Sequence, residues 1–341
     1  MGYLKVIRSL FLKILSIPRL FLGLAPRISM KSVSSEQARK FLKTHLHTEP
    51  QDLEFIGEGA WSSCFGYQID CQEFAIRFGR YADDFYKDRW MAKNALKDLP
   101  VPKIFDIGKA LGGYFVISER VHGVPLEQVS PEVWKKVVPE LVHMLEALRE
   151  FPVSETSGWG IWKSNGCAEY SSWHEHLLSV NEDQKNQRTH GWRVKLKKFS
   201  QQGLEAFEWG LGKLKKFAGS NVPHSLLHCD LINRNVLVDK TQVTGMFDWG
   251  CSCFGDHLYD LAWFEFWEPW HSNLDIPLLH QSLEKSWQQI GYFPTNKMER
   301  LKACYVHIGL DHIAYTAHTE NWQTLKLISE RMYDLGNISV Q

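Results

Sequence analysis

From His224 to Phe264 the chain reads HSLLHCDLINRNVLVDKTQVTGMFDWGCSCFGDHLYDLAWF, an apolar pair, Leu226-Leu227, running into His228-Cys229-Asp230. Asn235 follows Asp230 at a five-residue offset, Val236-Leu237-Val238 has the make-up of a short strand, and Asp239-Lys240 that of a turn. A second strand ending in Asp248-Trp249 makes the segment a hairpin with acids at its mouth. The H-x-D-x-x-x-x-N spacing puts a carboxylate and an amide on one loop, and the returning strand brings a second carboxylate alongside. Such a trio suits phosphoryl transfer. One aspartate orients a hydroxyl nucleophile and accepts its proton, while an amide and a second carboxylate are hard oxygen ligands for a Mg²⁺ that bridges phosphates.

Upstream of this loop the pattern is that of strands. Apolar runs at 53–56, 64–69 and 73–78, separated by Gly57-Glu58-Gly59 and a tight Asp70-Cys71 turn, predict an antiparallel meander. A helix over 84–97 and strands over 103–108 and 114–120 complete a five-stranded sheet with one helix inserted after strand three. A short Ser-capped helix, 35–45, precedes it. Beyond Gly123 long helices are predicted over 131–150, 170–180, 192–218, 278–290 and 297–316, with another from Leu258. The expected class is α+β, with a small antiparallel sheet followed by a larger, mostly helical part.

Composition narrows the function. The 341 residues carry 39 Lys+Arg and 39 Asp+Glu, so there is no polybasic field to grip a phosphate backbone, and nucleic acid is excluded as a partner. Lys5, Arg8, Lys13, Arg19 and Arg27 lie in residues 1–29 without an acid, which leaves the rest mildly acidic and suited to a cationic small molecule. Seven cysteines without a C-x-x-C pair point to neither a disulfide framework nor a zinc ribbon, and a cytoplasmic location follows. The longest charge-free run of the opening segment, Leu20 to Pro26, is too short to span a bilayer. Residues 1–29 therefore read either as a basic amphipathic anchor at a membrane surface or as upstream translation before a start at Met30.

With these motifs in place the sequence resembles the protein-kinase-like fold and, within it, the aminoglycoside phosphotransferases, the hygromycin B group in particular. The correspondence rests on DFYKDR at Asp84–Arg89, TSGWG at Thr156–Gly160, the loop at Asp230, Asp248-Trp249, Phe254-Gly255-Asp256, FWEPW at Phe266–Trp270 and Gly309-Leu310-Asp311. The resemblance implies a two-lobed chain, with a nucleotide-binding N-lobe over 30–121 and a C-lobe over 122–341 for catalysis and the acceptor. It implies ATP, with GTP as an alternative, and Mg²⁺. Asp230 would be the catalytic base, and Asn235 and Asp248 the metal ligands. Gly57, Gly59 and Ser62 would lie over the phosphates, and the hinge from Ser118 to Val121 would meet the purine.

Two positions depart from the kinase pattern. Arg77 stands where strand three usually carries lysine, and Asp88 where the next helix carries glutamate, so a longer base faces a shorter acid. After Asp248-Trp249-Gly250 the chain reaches Gly255-Asp256 almost at once, leaving no room for an activation segment on which a peptide could lie. A small-molecule acceptor is the expectation, held by Trp267 and Trp270 as aromatic faces and by Glu268 and Asp311 as carboxylates. A Trp stripe formed by Trp263, Trp267 and Trp270 at helical spacing is equally what core packing produces. His228 and Asp260 are expected to brace the loop. The function expected is O-phosphorylation of an aminoglycoside or aminocyclitol by a monomeric enzyme, which would confer antibiotic resistance. The alternatives are a metabolic kinase for an amino alcohol or sugar, and a silent nucleotide-binding scaffold at a membrane.

Overall fold

The computed structural model describes residues 33–59, 61–217 and 221–338; the basic segment 1–29 and Met30 lie outside them. Helix α1 (Ser35–Leu46) opens on a reciprocal cap, in which Ser34 and Gln37 each donate a backbone N–H to the other's side chain. Its buried Ala38 and Leu42 pack with Phe65, Ile76, Phe78 and Phe115 of the sheet beneath. That sheet holds β1 (Gln51–Glu58), β2 (Ser62–Ile69), β3 (Gln72–Gly79), β4 (Ile104–Ala110) and β5 (Gly113–Glu119) in the order β1-β2-β3-β5-β4. Asp70 and Cys71 make the β2–β3 turn with both φ values positive, the geometry that matches strand twist. Helix α2 (Ala82–Asn94) connects β3 to β4.

The remainder is mostly helical. Helix α3 (Pro131–Arg149) buries Trp134, Val137, Val138, Leu141, Leu145 and Leu148 on one face. A two-residue strand β6 (Val124–Pro125) pairs with β10 (Val236–Asp239), which pairs with β11 (Gln242–Met246). Strands β7 (Trp159–Trp162), β8 (Ala168–Tyr170), β9 (Ser225–Leu227) and β12 (Cys253–Gly255) form a second small sheet in the order β8-β7-β12-β9. Around these pack α4 (Trp173–Leu178), α5 (Trp192–Phe199), α6 (Gln201–Phe217), α7 (Leu258–Trp267), α8 (Ile276–Gln289), α9 (Lys297–His318) and α10 (Trp322–Gly336). Among the described residues no helix is long and apolar enough to cross a membrane.

Several boundaries differ from the expectations. The run 192–218 breaks at Ser200, whose hydroxyl accepts the Gly203 N–H and so caps a new helix. The expected helix 170–180 starts at Trp173, because 168–170 pair with β7. β11 ends at Met246, since Asp248 is left-handed at φ 66 and cannot continue a strand. Helix α10 is additional, its Leu325, Ile328, Met332 and Leu335 buried on one side. Trp270 lies beyond α7 in a turn at Glu268-Pro269, so the Trp stripe does not sit on one continuous helix.

Candidate active site

β9 and α7 fix the start of the loop that carries Asp230. Asp260, in the first turn of α7, accepts the backbone N–H groups of His228 at 2.9 Å and Cys229 at 2.7 Å. Burial pushes its carboxyl up to about 7 despite those two donors. The ring of His228 is buried against Trp249 and its Nε2–H donates to the Phe247 carbonyl at 3.1 Å. Burial lowers its pKa to about 4, so the imidazole is neutral. Both side chains lie behind the cleft wall and hold backbone in place.

The next residues face the cleft. The Asn235 amide donates to the Asp230 carbonyl at 2.9 Å and to its carboxylate at 3.0 Å, which turns the Asn235 carbonyl oxygen away from Asp230. Phe247 N–H donates to the backbone carbonyl of Asn235 at 3.0 Å, tying the returning chain to the same loop just before Asp248. Burial, with the Asp248 carboxylate nearby, holds the Asp230 carboxyl well above the ordinary range. A cation near Asp248 would remove that repulsion.

Arg77 projects from β3 and is ion-paired with Asp88 of α2, while its Nη1 lies 3.6 Å from Asp248. The other Asp88 oxygen accepts the Trp249 N–H at 2.9 Å. Burial raises the Asp88 carboxyl to about 6, against the pull of Arg77 and that N–H. Arg77 thus joins the sheet to the helix and to the Asp248 turn. Lys87, one residue before Asp88, is buried and donates to the carbonyls of Gly250 at 2.9 Å and Ser252 at 3.2 Å, with Trp162 4.7 Å below its ammonium.

One cleft of about 4290 Å³ runs between the sheet and the helical part, and Asp230, Asn235, Asp248, Arg77 and Asp88 all line it. Gly57, Gly59, Ser62, Ser118 and Val121 line its sheet side. Gly245 lets Val121 approach β11, since a Cβ there would meet Val121 at 2.7 Å. Trp267, Glu268, Trp270 and Asp311 line its helical side. Trp263 is core, at 8% exposure, whereas Trp267 is half-buried between Trp270 and His312, with ring centroids 5.3 and 4.8 Å away. Glu268 faces Arg331 at 3.5 Å, and burial raises its pKa. The Asp311 side chain is 62% exposed, and the imidazole of His312, whose pKa burial lowers, lies 3.8 Å from it.

The donor set fits Mg²⁺ bound together with phosphates. Among the described residues no group of three or more His, Cys, Asp or Glu side chains is arranged to hold a metal alone. The free oxygen of Asn235 and the half-exposed Asp248 carboxylate are hard ligands that leave most of the coordination shell to phosphate and water. Four further charged residues, three lining the cleft and Lys87 buried behind its wall, carry no role in the sequence expectations. They are Lys87, Arg188 (2.5 Å from Asp84), Glu127 (2.9 Å from the Arg234 N–H) and Arg234 itself. Lys87 next to Asp88 on one helix is the signal available for the first; the others depend on partners remote in sequence.

Known proteins share this fold. Residues 80–292 match the model of the phosphotransferase enzyme family (APH). Hygromycin-B 4-O-kinase of Escherichia coli is 27% identical over 297 residues, covering 84% of this chain and 80% of its own. A thermostable mutant of aminoglycoside phosphotransferase APH(4)-Ia, solved as a ternary complex with AMP-PNP and hygromycin B, superposes with a TM-score of 0.76 at 25% identity. The overlap covers 88% of this chain and 98% of that one. Spectinomycin phosphotransferase APH(9)-Ia, in complex with ADP and spectinomycin, shares the fold at a TM-score of 0.53 and 15% identity, over 88% of this chain and 93% of its own. With the family model matched over residues 80–292 and the fold over most of its length, the chain belongs to the phosphotransferase enzyme family and acts on a hydroxyl group of a small molecule.

Proposed function

We propose that the protein transfers the terminal phosphoryl group of ATP, with Mg²⁺, to a hydroxyl of an aminoglycoside or aminocyclitol. The observation that carries this reading is the convergence of Asp230, Asn235, Asp248 and the Arg77–Asp88 pair on one cleft whose far wall is aromatic and acidic. In it, residues 30–121 bind the nucleotide, with Gly57, Gly59 and Ser62 over the phosphates and the hinge from Ser118 to Val121 at the purine. Residues 122–341 supply catalysis and the acceptor site. Asp230 orients the attacking hydroxyl and takes its proton; Asn235 and Asp248 hold the metal; Arg77, oriented by Asp88, reaches the phosphates. Held by Asn235 and Asp248, Mg²⁺ would supply charge that offsets the phosphates and the repulsion of Asp248 on the Asp230 carboxylate. GTP is the alternative donor, a cytoplasmic monomer conferring aminoglycoside resistance is the cellular form, and residues 1–29 would add membrane-surface contact.

A second reading, a metabolic kinase for an acceptor with one amine, is favoured by the internal pairing of the helical wall. Glu265 bonds Tyr305 and His280, Glu284 bonds Lys297, and Glu268 faces Arg331, leaving Asp311 the most open of these acids. Purified protein with Mg-ATP, assayed for ADP release against hygromycin B, spectinomycin and simple amino alcohols, separates the two. Saturable turnover on an aminoglycoside is expected; turnover on amino alcohols alone would replace the first reading by the second.

A further inference from the structure

We propose that Arg234 is a further catalytic residue, its guanidinium donating to the terminal phosphate of the nucleotide during transfer. The inference rests on the phosphotransferase reading of the Asp230 loop. Arg234 lies four residues after Asp230 and directly before Asn235. Its backbone is left-handed at φ 63, a conformation costly for a residue with a side chain. That conformation is held from outside: the Glu127 carboxylate accepts the Arg234 N–H at 2.9 Å, and the Asn273 amide fixes the carbonyls of Glu127 and Val129 at 3.0 and 2.9 Å. From this platform the exposed side chain crosses the cleft. Its Nη1 lies 3.7 Å from where a Cβ on Gly57 would sit.

The guanidinium therefore spans from the loop of Asp230 to the loop of Gly57 and Gly59. A polyphosphate lying under those glycines, with its last phosphorus within reach of a hydroxyl on Asp230, must pass it. Three other arginines of the cleft are held by carboxylates: Arg77 by Asp88 and Asp248, Arg120 by Glu54 and Arg188 by Asp84. Among the described residues no carboxylate lies within 4.0 Å of the Arg234 guanidinium, so its donors are available to a ligand. In the transfer the acceptor oxygen bonds to phosphorus as the bond from phosphorus to the bridging oxygen of the nucleotide breaks. The hydroxyl proton passes to Asp230. Arg234 gains and loses no proton; its N–H groups follow the charge on the phosphoryl oxygens.

Arg234→Gly tests this, because glycine accepts the left-handed backbone and the fold is kept. With Mg-ATP as donor and hygromycin B as acceptor, kcat should fall by roughly 10²–10³ while Tm stays at or above that of the wild type. Free guanidinium ion should recover at least about tenfold of the loss, and Arg234→Lys should fall between the two. A kcat within about threefold of wild type for Arg234→Gly, with Asp230→Asn inactive, would overturn the proposal and leave the reading of the loop intact. A loss that neither guanidinium nor Arg234→Lys relieves would make Arg234 a structural residue only. If Asp230→Asn itself kept normal turnover, the reading of the loop would fall and this proposal with it.

Discussion

Asp230 lies where burial and a neighbouring carboxylate disfavour the anion, yet the proton acceptor proposed here must be ionised when the hydroxyl attacks. In the proposed mechanism a cation held at Asp248 would offset that repulsion and favour the Asp230 carboxylate. Asp230→Asn should lower kcat by about 10²–10⁴ with little change in nucleotide affinity, measured by steady-state kinetics and nucleotide titration. Asp248→Asn should weaken Mg-nucleotide binding as well as turnover, since it removes both a proposed metal ligand and a partner of Arg77. Asp88 has two attachments, to Arg77 and to the Trp249 N–H. Asp88→Ala should therefore cost more activity than Arg77→Ala, because it also frees the turn after Asp248. Arg77→Lys alone should leave the span between β3 and α2 unfilled. Adding Asp88→Glu should recover activity beyond either single change, and strict additivity in a double-mutant cycle would show that the two do not act as a pair.

At the level of elements, α2 is the part that sequence patterns describe least well. Its place in the chain is legible, although it runs over Ala82–Asn94 instead of 84–97, but its face is not, because Lys87 and Asp88 are adjacent, charged and both buried. Their partners, Gly250, Ser252 and Trp249, come from a turn more than 160 residues later, and no local period reports such a contact. The five strands of the first sheet were legible for the opposite reason: alternation and tight turns are local properties. Asp230, Asn235 and Asp248 were legible because their spacing is set by a short loop and hairpin, whereas Arg234 depends on a cross-cleft approach to Gly57 that spacing does not encode. The small sheet β8-β7-β12-β9 escaped because its strands have only 3 or 4 residues each and are drawn from distant segments. Lys87→Met should remove the ammonium while keeping the stem against Trp162. Two buried carbonyls then lose their donor, and a loss of about 2–3 kcal/mol in urea unfolding is expected, with a fall in kcat as the turn at Asp248 loosens.

Over the whole molecule, buried charge pulls stability in two directions with pH. Asp260 and Glu127, raised to about 7, and Asp88, raised to about 6, bind protons in the folded chain that the unfolded chain has released. Their contribution is complete below the ordinary carboxyl range and is lost as pH rises through 6 and 7. His228 and His257, lowered to about 4 by burial, act oppositely, since the unfolded imidazoles take up protons below 6.5 and the folded ones do not. Stability from them is lost as pH falls towards 4. His257→Gln isolates one such group: the stability of the wild type relative to the variant should shrink by about 3 kcal/mol between pH 7 and pH 4 in urea titrations. A constant difference would show that His257 protonates freely in the folded chain. The tie between α2 and the turn after Asp248 has a pharmacological consequence. In enzymes where the equivalent helix swings outward, an inhibitor can gain selectivity by occupying the space it vacates. Here outward movement of α2 would strip Lys87 and Asp88 from carbonyl, amide and guanidinium partners at once, so a compound that needs the swung-out state must supply that whole cost from its own affinity. Selective inhibitors of this enzyme should instead be sought among molecules that fill the cleft with the helix in place.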